Sequence, residues 1–353
     1  MWYAVNRKTN EKMKKLLYPI LILICAITAC DSRKRSNKPF LMPSSGGNPY
    51  EVMVVAEDSI WNGQAGKALR TVLEEPIPML PQDEPMFHVT RIKPDNYDRI
   101  TNLFRNIILF NISNDYGDPR IRFERDVHSY MQAIVHINAP SIKSAADYII
   151  ESRASLQQFF NNEEINRQAE KIRYKFNSKF NDSIKKYFGC EMKIPVDISK
   201  MKMGKNFIWA SNDGLTTVQN ICIYSYPYAT QQVFDKHGFI ALRDTFMAKY
   251  IQGYNPGSVM EVTEEYVKLT NKNDVNGQFF QEARGLWDMS KDAMGGPFIS
   301  HSRIDSINNR VIVVEAFVYA PSKMKRSILR RLEASLYTLK MPTQKIQNPE
   351  SFL

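Results

Sequence analysis

The chain has 353 residues, of which 43% are hydrophobic and 24% charged, with a formal net charge of +10. Those are globular proportions, and the length suits one large domain or two ordinary ones, which excludes a disordered or fibrous chain. Five of the 47 basic residues and one of the 37 acids precede Cys30, so the remainder carries about +6, too mild a balance to call for a nucleic-acid footprint.

Lys14 and Lys15 open a basic start, and Leu16 to Ala29 is an apolar run of 14 residues. That is a signal-peptide layout, too short for a spanning helix. Ile27-Thr28-Ala29-Cys30 places small residues before a cysteine, as in a bacterial lipobox, where Cys30 is acylated and becomes the mature N-terminus. Met1 to Lys12 has no place in that scheme, so translation is expected to begin at Met13. Residues 30–48, rich in Ser, Gly, Lys and Arg, read as a flexible tether with little to bury.

An N-terminal half is expected over 49–161. Strands are read at Val52–Ala56, Phe87–Ile92, Ile107–Ile112 (central in its sheet) and Ala133–Ile137. Helices are read at Gly63–Leu73, Tyr97–Phe104 and Ser141–Phe160. Ile165, Ala169, Ile172, Phe176, Phe180 and Ile184 recur every three to four residues, predicting a linking helix over 162–189 that stops at Gly189. The C-terminal half, 190–341, reads as strand-rich. Its strands are Met192–Val196, Phe207–Ala210, Val218–Tyr226, Val259–Tyr266, Phe279–Leu286, Phe298–Ile304 and Arg310–Tyr319. Its helices are Ile240–Tyr250 and Ser322–Leu339, and 342–353 is a tail. The expected class is α+β, with mixed or mainly antiparallel sheets and packed helices. A strand running into Ala139-Pro140-Ser141 and another into Ala320-Pro321-Ser322 leave two readings: two related halves joined by the amphipathic helix, or chance reuse of a turn in which Pro ends a ladder and Ser caps a helix.

No catalytic set announces itself. The five histidines have no metal-ligand spacing, there is no G-x-S-x-G elbow or calcium loop, and no cofactor or metal is expected. His136, inside an apolar strand, reads as a hydrogen-bonded core histidine, and His301 as a surface residue. Ser183-Ile184-Lys185-Lys186 and Ser322-Lys323-Met324-Lys325 fit S-x-x-K, but Ser322 is better explained as a helix cap. Cys190 and Cys222 remain after processing and could pair in an oxidising compartment or stay buried as thiols.

The most distinctive stretch is Gly285-Leu286-Trp287-Asp288-Met289 followed by Gly295-Gly296-Pro297-Phe298, with Gly-Gly-Pro as a turn signal. Trp287 is a core anchor or, if exposed, a contact residue together with Asp288, Met289 and Phe298. Gly285 to Phe298, Arg310 to Pro321 and Leu332-Glu333-Ala334-Ser335-Leu336 resemble the Bacteroidota lipoprotein family carrying domain of unknown function 4837. The resemblance implies lineage, export and lipidation and brings no catalytic residues. In that lineage Asp58-Ser59-Ile60, Asp182-Ser183-Ile184 and Asp305-Ser306-Ile307 are similar to O-glycosylation acceptors, with Ser306 in an expected turn.

The expectation is a protein of the cell envelope, held to the membrane by lipid at Cys30, in the outer membrane facing the periplasm or exterior. Its role is read as binding or assembly, with an envelope protein or glycan as partner and no nucleic acid. The alternative is an envelope hydrolase with Asp288 or Asp292 acting beside His301. Convergence of that carboxylate and histidine would distinguish the two.

Overall fold

Hydrophobic alternation and β-branched runs build two separate sheets. The computed structural model describes residues 42–274 and 277–343. The expected leader, Cys30, most of the tether and positions 344–353 lie outside those residues.

The first sheet contains β1 (Glu51–Val55), β2 (His88–Ile92), β3 (Asn106–Ile112), β4 (Arg120–Arg125) and β5 (Ala133–Ala139), in the order β2-β1-β3-β5-β4. β1, β2, β3 and β5 run parallel, and β4 closes the edge antiparallel to β5. β1 and β3 are apolar on both faces because a parallel sheet needs cover on both. One face, carrying Val52, Val54, Ile108, Val135 and Ile137, is packed by α1 (Asp58–Asn62), α2 (Gln64–Leu73), α3 (Ile142–Glu151) and the start of α4 (Arg153–Tyr174). On the other, Ile92, Tyr97 and Phe104 pack against Met53, Val55, Ile107 and Ile134. There the expected helix over Tyr97–Phe104 is absent; two short 3-10 turns, Pro94–Asn96 and Thr101–Leu103, take its place. Ser141 caps α3, with Ser144 completing a reciprocal capping box.

The second sheet is antiparallel throughout: β6 (Lys200–Gly204), β7 (Phe207–Ser211), β8 (Val218–Pro227), β9 (Met260–Asn273), β10 (Phe279–Met289), β11 (Asp292–Asp305) and β12 (Arg310–Tyr319), ordered β6-β7-β8-β12-β11-β10-β9. α5 (Ser178–Phe188) and α7 (Arg326–Leu336) cover one face, and α6 (Lys236–Tyr250) the other. Burying Leu329, Leu332 and Leu336 of α7 contributes roughly 1.5–3 kcal/mol each. From Ser44 onward the described residues form one compact unit.

The class is therefore α+β, with one mixed and one antiparallel sheet. The duplication reading is overturned, because a mostly parallel five-stranded sheet and an antiparallel seven-stranded one share no strand order. The stretch expected to form one linking helix is broken: Lys175 and Asn177 leave helical geometry, and the Asn177 side chain accepts from Phe180 N to start α5 afresh. The end of the expected tether is paired, with Gly46 bridging Phe104 and donating to Leu103 O at 2.9 Å. Met192–Val196 is not a strand but holds isolated bridges at its flanks. Cys190 and Cys222 are free thiols in cores on opposite faces of the second sheet.

Ser322 does not cap the last helix. It takes a positive φ of 59°, and α7 starts four residues later. The first N–H groups of α7 are met instead by the buried carboxylate of Glu84, which accepts from Lys325 N at 2.5 Å and Arg326 N at 2.9 Å.

Candidate functional site

The end of the second sheet near the β10–β11 turn carries an irregularity from which a groove follows. Gly285 pairs with Val267 and Trp287 with Val262, so Thr263 to Tyr266 of β9 stand opposite Leu286 alone. Such an insertion bends the strand and re-aims its side chains. Only glycine fits at 285, where a Cβ would lie 2.5 Å from Tyr266 O. Gly295-Gly296-Pro297 is not a turn but part of β11, paired with Asp288, Trp287 and Leu286. A Cβ at Gly296 would meet Val318 O at 2.0 Å. Pro297 is tolerated because the ladder to β12 begins only at Phe298.

The groove so made has a volume of about 450 Å³. Tyr266, Leu286, Trp287 and Tyr319 wall it, Gly295 and Gly296 keep its floor low, and Pro81 and Lys325 reach it from outside the sheet. Trp287 is 3% exposed and packs edge-on against Phe317, ring centroids 5.7 Å apart. Its indole Nε1 is buried without a hydrogen-bond partner among the described residues. The indole N–H is sealed from solvent behind apolar walls, and the exposed Asp288 carboxylate stands at the groove's rim. The lining holds no histidine, cysteine or serine.

Residues 177–338 match the family described as Domain of unknown function (DUF4837), and residues 45–173 match Domain of unknown function (DUF8532). The chain is thus similar, over two successive stretches, to domains of unknown function. No curated protein matches it. Among solved structures, the human StarD13 (DLC2) lipid transfer and protein localization domain aligns with 45% of this chain and 95% of its own, at 9% identity and a TM-score of 0.18. A likeness of that size carries no argument.

Within the DUF4837 segment, three of the four expected contact residues are core. Trp287, Met289 and Phe298 are buried, and only Asp288 faces solvent. Trp287 nevertheless forms part of the groove wall, so core anchoring and groove lining coincide in one side chain. The hydrolase arrangement does not form. His301 pairs with Glu282 on β10, whereas Asp288 pairs with Gly295, six residues away along β11. At about 3.3 Å per residue that is roughly 20 Å. Asp292 is further still, engaged by Asn255 N at 3.1 Å and Asn255 Nδ2 at 2.6 Å.

His301 is not a surface residue either. It is fully buried between Phe280 and Tyr337, ring centroids at 4.5 and 4.8 Å. Among the described residues neither ring nitrogen has a hydrogen-bond partner, since Glu282 Oε2 stands at 3.6 Å. Burial holds its pKa below the ordinary value, with Glu282 opposing. Around it runs a buried charge network that nothing in the sequence pattern announced. Glu282 takes Lys272 at 2.7 Å and Arg284 at 2.8 Å, Arg284 reaches Glu333 at 2.5 Å, and Arg330 lies 3.3 Å from Glu333. Burial pushes the Glu282 carboxyl up, but Arg284, His301 and Lys272 together hold it well below the usual range. On the opposite sheet face, fully buried Arg243 grips Glu315 through Nη2 at 2.8 Å and Nε at 3.1 Å.

The three candidate glycan acceptors sit differently. Ser306 is exposed in the 306–309 turn between β11 and β12. Ser59 is exposed in α1, and Ser183 is half-buried in α5, its hydroxyl donating to Lys179 O at 2.8 Å. Among the described residues no helix is long and apolar enough to cross a membrane, and no group of three His, Cys, Asp or Glu could hold a metal.

Proposed function

We propose that this chain is a binding or assembly lipoprotein of the cell envelope, anchored through lipid on Cys30, and that the Trp287 groove holds an apolar segment of a partner protein. The groove's aromatic and apolar walls, with the exposed Asp288 carboxylate at the rim, are the observation that carries the reading. Aromatic walls with one polar handle are the usual make-up of a contact centre. A basic start, an apolar run and small residues before Cys30 support export and lipid attachment in a Bacteroidota envelope, with Ser306 as the best placed glycan acceptor.

Two measurements test this. Labelled palmitate should enter the parent chain and not Cys30→Ala; equal labelling removes the anchor. A photo-cross-linking residue at Asp288, in native envelopes, should give one discrete protein adduct that Ala293→Trp abolishes by filling the groove from an exposed position. An adduct unaffected by Ala293→Trp, or one that glycan digestion removes, overturns the protein-partner reading.

A further inference from the structure

A second cavity, of about 500 Å³, opens at the carboxyl ends of the parallel strands in the first sheet. Its wall is made by Val55 and Ala56 after β1, Leu109 and Phe110 at the end of β3, and Tyr97 from the segment after β2. The position follows from topology. From β1 the chain leaves through α1 and α2 to β2 on one side. From β3 it leaves toward β4 and β5 on the other. Connections departing in opposite directions open a crevice outside the strand ends, the place where open sheets of this kind take ligands.

The crevice is equipped on one side. Leu109, His136 and Arg122 lie in register across β3, β5 and β4, so their side chains share the face opposite α1–α4. Glu124 orients both basic groups: its Oε2 lies 2.8 Å from His136 Nε2 and its Oε1 3.3 Å from Arg122 Nη2. One carboxylate thus faces two cationic or donor groups, and the mostly exposed Arg122 keeps the rest of its donor fork for another acceptor. Close by, Arg91 and Lys93 hold Asp58 at 2.7 and 2.9 Å and, with the lining acid Glu57, leave that side balanced, so among the described residues Arg122 is the cation free for a ligand. The Tyr97 ring lines the crevice while its hydroxyl is sealed, with no partner among the described residues, and burial raises its pKa. The site therefore combines a mostly apolar wall with a guanidinium at the mouth.

We infer that this crevice binds a small organic anion, its ring-sized apolar body against Val55, Tyr97 and Leu109 and its acidic group on Arg122. The volume lies within the range of small-molecule pockets, and the bidentate fork of arginine matches a carboxylate, sulfonate or phosphate group. This is separate from the Trp287 groove, which lies on the other sheet and presents Asp288 at its rim.

The probe is 8-anilinonaphthalene-1-sulfonate, an aromatic body with one anionic group, titrated into the folded full chain. Saturable binding at one site is expected, weakening with added salt. Arg122→Gln should raise the dissociation constant tenfold or more, and Asn111→Phe, which fills the mouth from an exposed position, should abolish binding; unchanged thermal melting will show that both variants fold. Tyr266→Ala, in the other groove, should leave the titration unchanged. Binding that survives both Arg122→Gln and Asn111→Phe, or that is lost in Tyr266→Ala, overturns the assignment.

Discussion

Replacing Glu84 should loosen α7 although the two are more than 240 residues apart in sequence. The carboxylate is 2% exposed and meets the Lys325 and Arg326 N–H groups at 2.5 and 2.9 Å. Both belong to the set of helix-start donors that the helix cannot satisfy itself. Glu84 is held in place by its own loop, where Ile77 N donates to Glu84 O at 2.9 Å and Met86 N to Glu75 O at 2.9 Å. The loop therefore cannot follow a shortened side chain. Losing a helix cap costs about 0.5–2 kcal/mol, and leaving a buried donor unmet about 1–3 kcal/mol. With two donors affected, part of the penalty is relieved by water, and we expect about 2–3 kcal/mol for Glu84→Ala. Glu84→Gln retains one acceptor oxygen without the charge and should lose about 1 kcal/mol. At roughly 2–4 °C per kcal/mol for a chain of this size, Glu84→Ala should melt about 5–10 °C lower. Calorimetry on the parent and both variants measures this. A loss below about 0.5 kcal/mol for Glu84→Ala, or equal damage from the two substitutions, refutes the capping argument.

Other outcomes follow from the buried groups. The folded pKa of His301 lies below the ordinary 6.5, so the unfolded chain takes up that proton first. Stability from this group is full above about pH 6.5 and falls as the pH drops below it; denaturant titrations of His301→Phe between pH 7 and 5 should show a flatter dependence than the parent. Glu315→Gln should cost about 3 kcal/mol by leaving buried Arg243 with Asp244, at 3.0 Å, as its one remaining counter-charge among the described residues, while the double replacement Arg243→Met with Glu315→Met should recover most of it in the same unfolding assay. Burial pushes the Cys190 thiol up to about 12 and Cys222 well above its ordinary value. Iodoacetamide at pH 8 should therefore leave both unlabelled in the native protein and label both in denaturant, read by peptide mass spectrometry.

The parts of the fold legible in the sequence are those fixed by local patterning. β12 was readable to the residue at Arg310–Tyr319, and β3 could be placed centrally, because apolar residues on both faces leave no other environment for them. The strands missed, β4 and β6, are edge strands with burial patterns of mostly exposed residues, Arg120–Arg125 and Lys200–Gly204. Their pairing is decided by the neighbour and leaves little hydrophobic signature. Gly295-Gly296-Pro297 misled for a related reason. Those residue types usually mark a turn, but here they answer to the close approach of Val318 O and to a missing ladder on one side. His301 and its charge network were invisible because Lys272, Glu282, Arg284, Arg330 and Glu333 come from three elements and converge only in space. Of the groove, Trp287 and Asp288 were accessible from their unusual neighbourhood. Tyr266, Tyr319 and Lys325 were not, since a strand irregularity and a distant helix start bring them there.

The two family matches meet near residue 175, yet the physical contacts do not respect that seam. Glu84, Gln82 and Pro85 of the first segment bind Lys325 and Arg326 of the second, through side-chain and backbone groups. Arg330 reaches Asn161 Oδ1 at 2.5 Å and lies 5.2 Å from the centre of the Tyr50 ring. These residues surround the same helix, α7, whose Glu333 anchors the charge network of the second sheet. A helix start capped by the other segment, and a flank whose arginine needs an asparagine and a tyrosine from that segment, leave polar groups without partners if the halves part. Buried polar groups in this position tie the halves more specifically than apolar contact alone, because any other relative placement would strand them. The Trp287 groove is built almost wholly by the second segment, and Pro81 of the first completes its lining beside Lys325, so the seam that Glu84 pins also fixes one part of the groove wall.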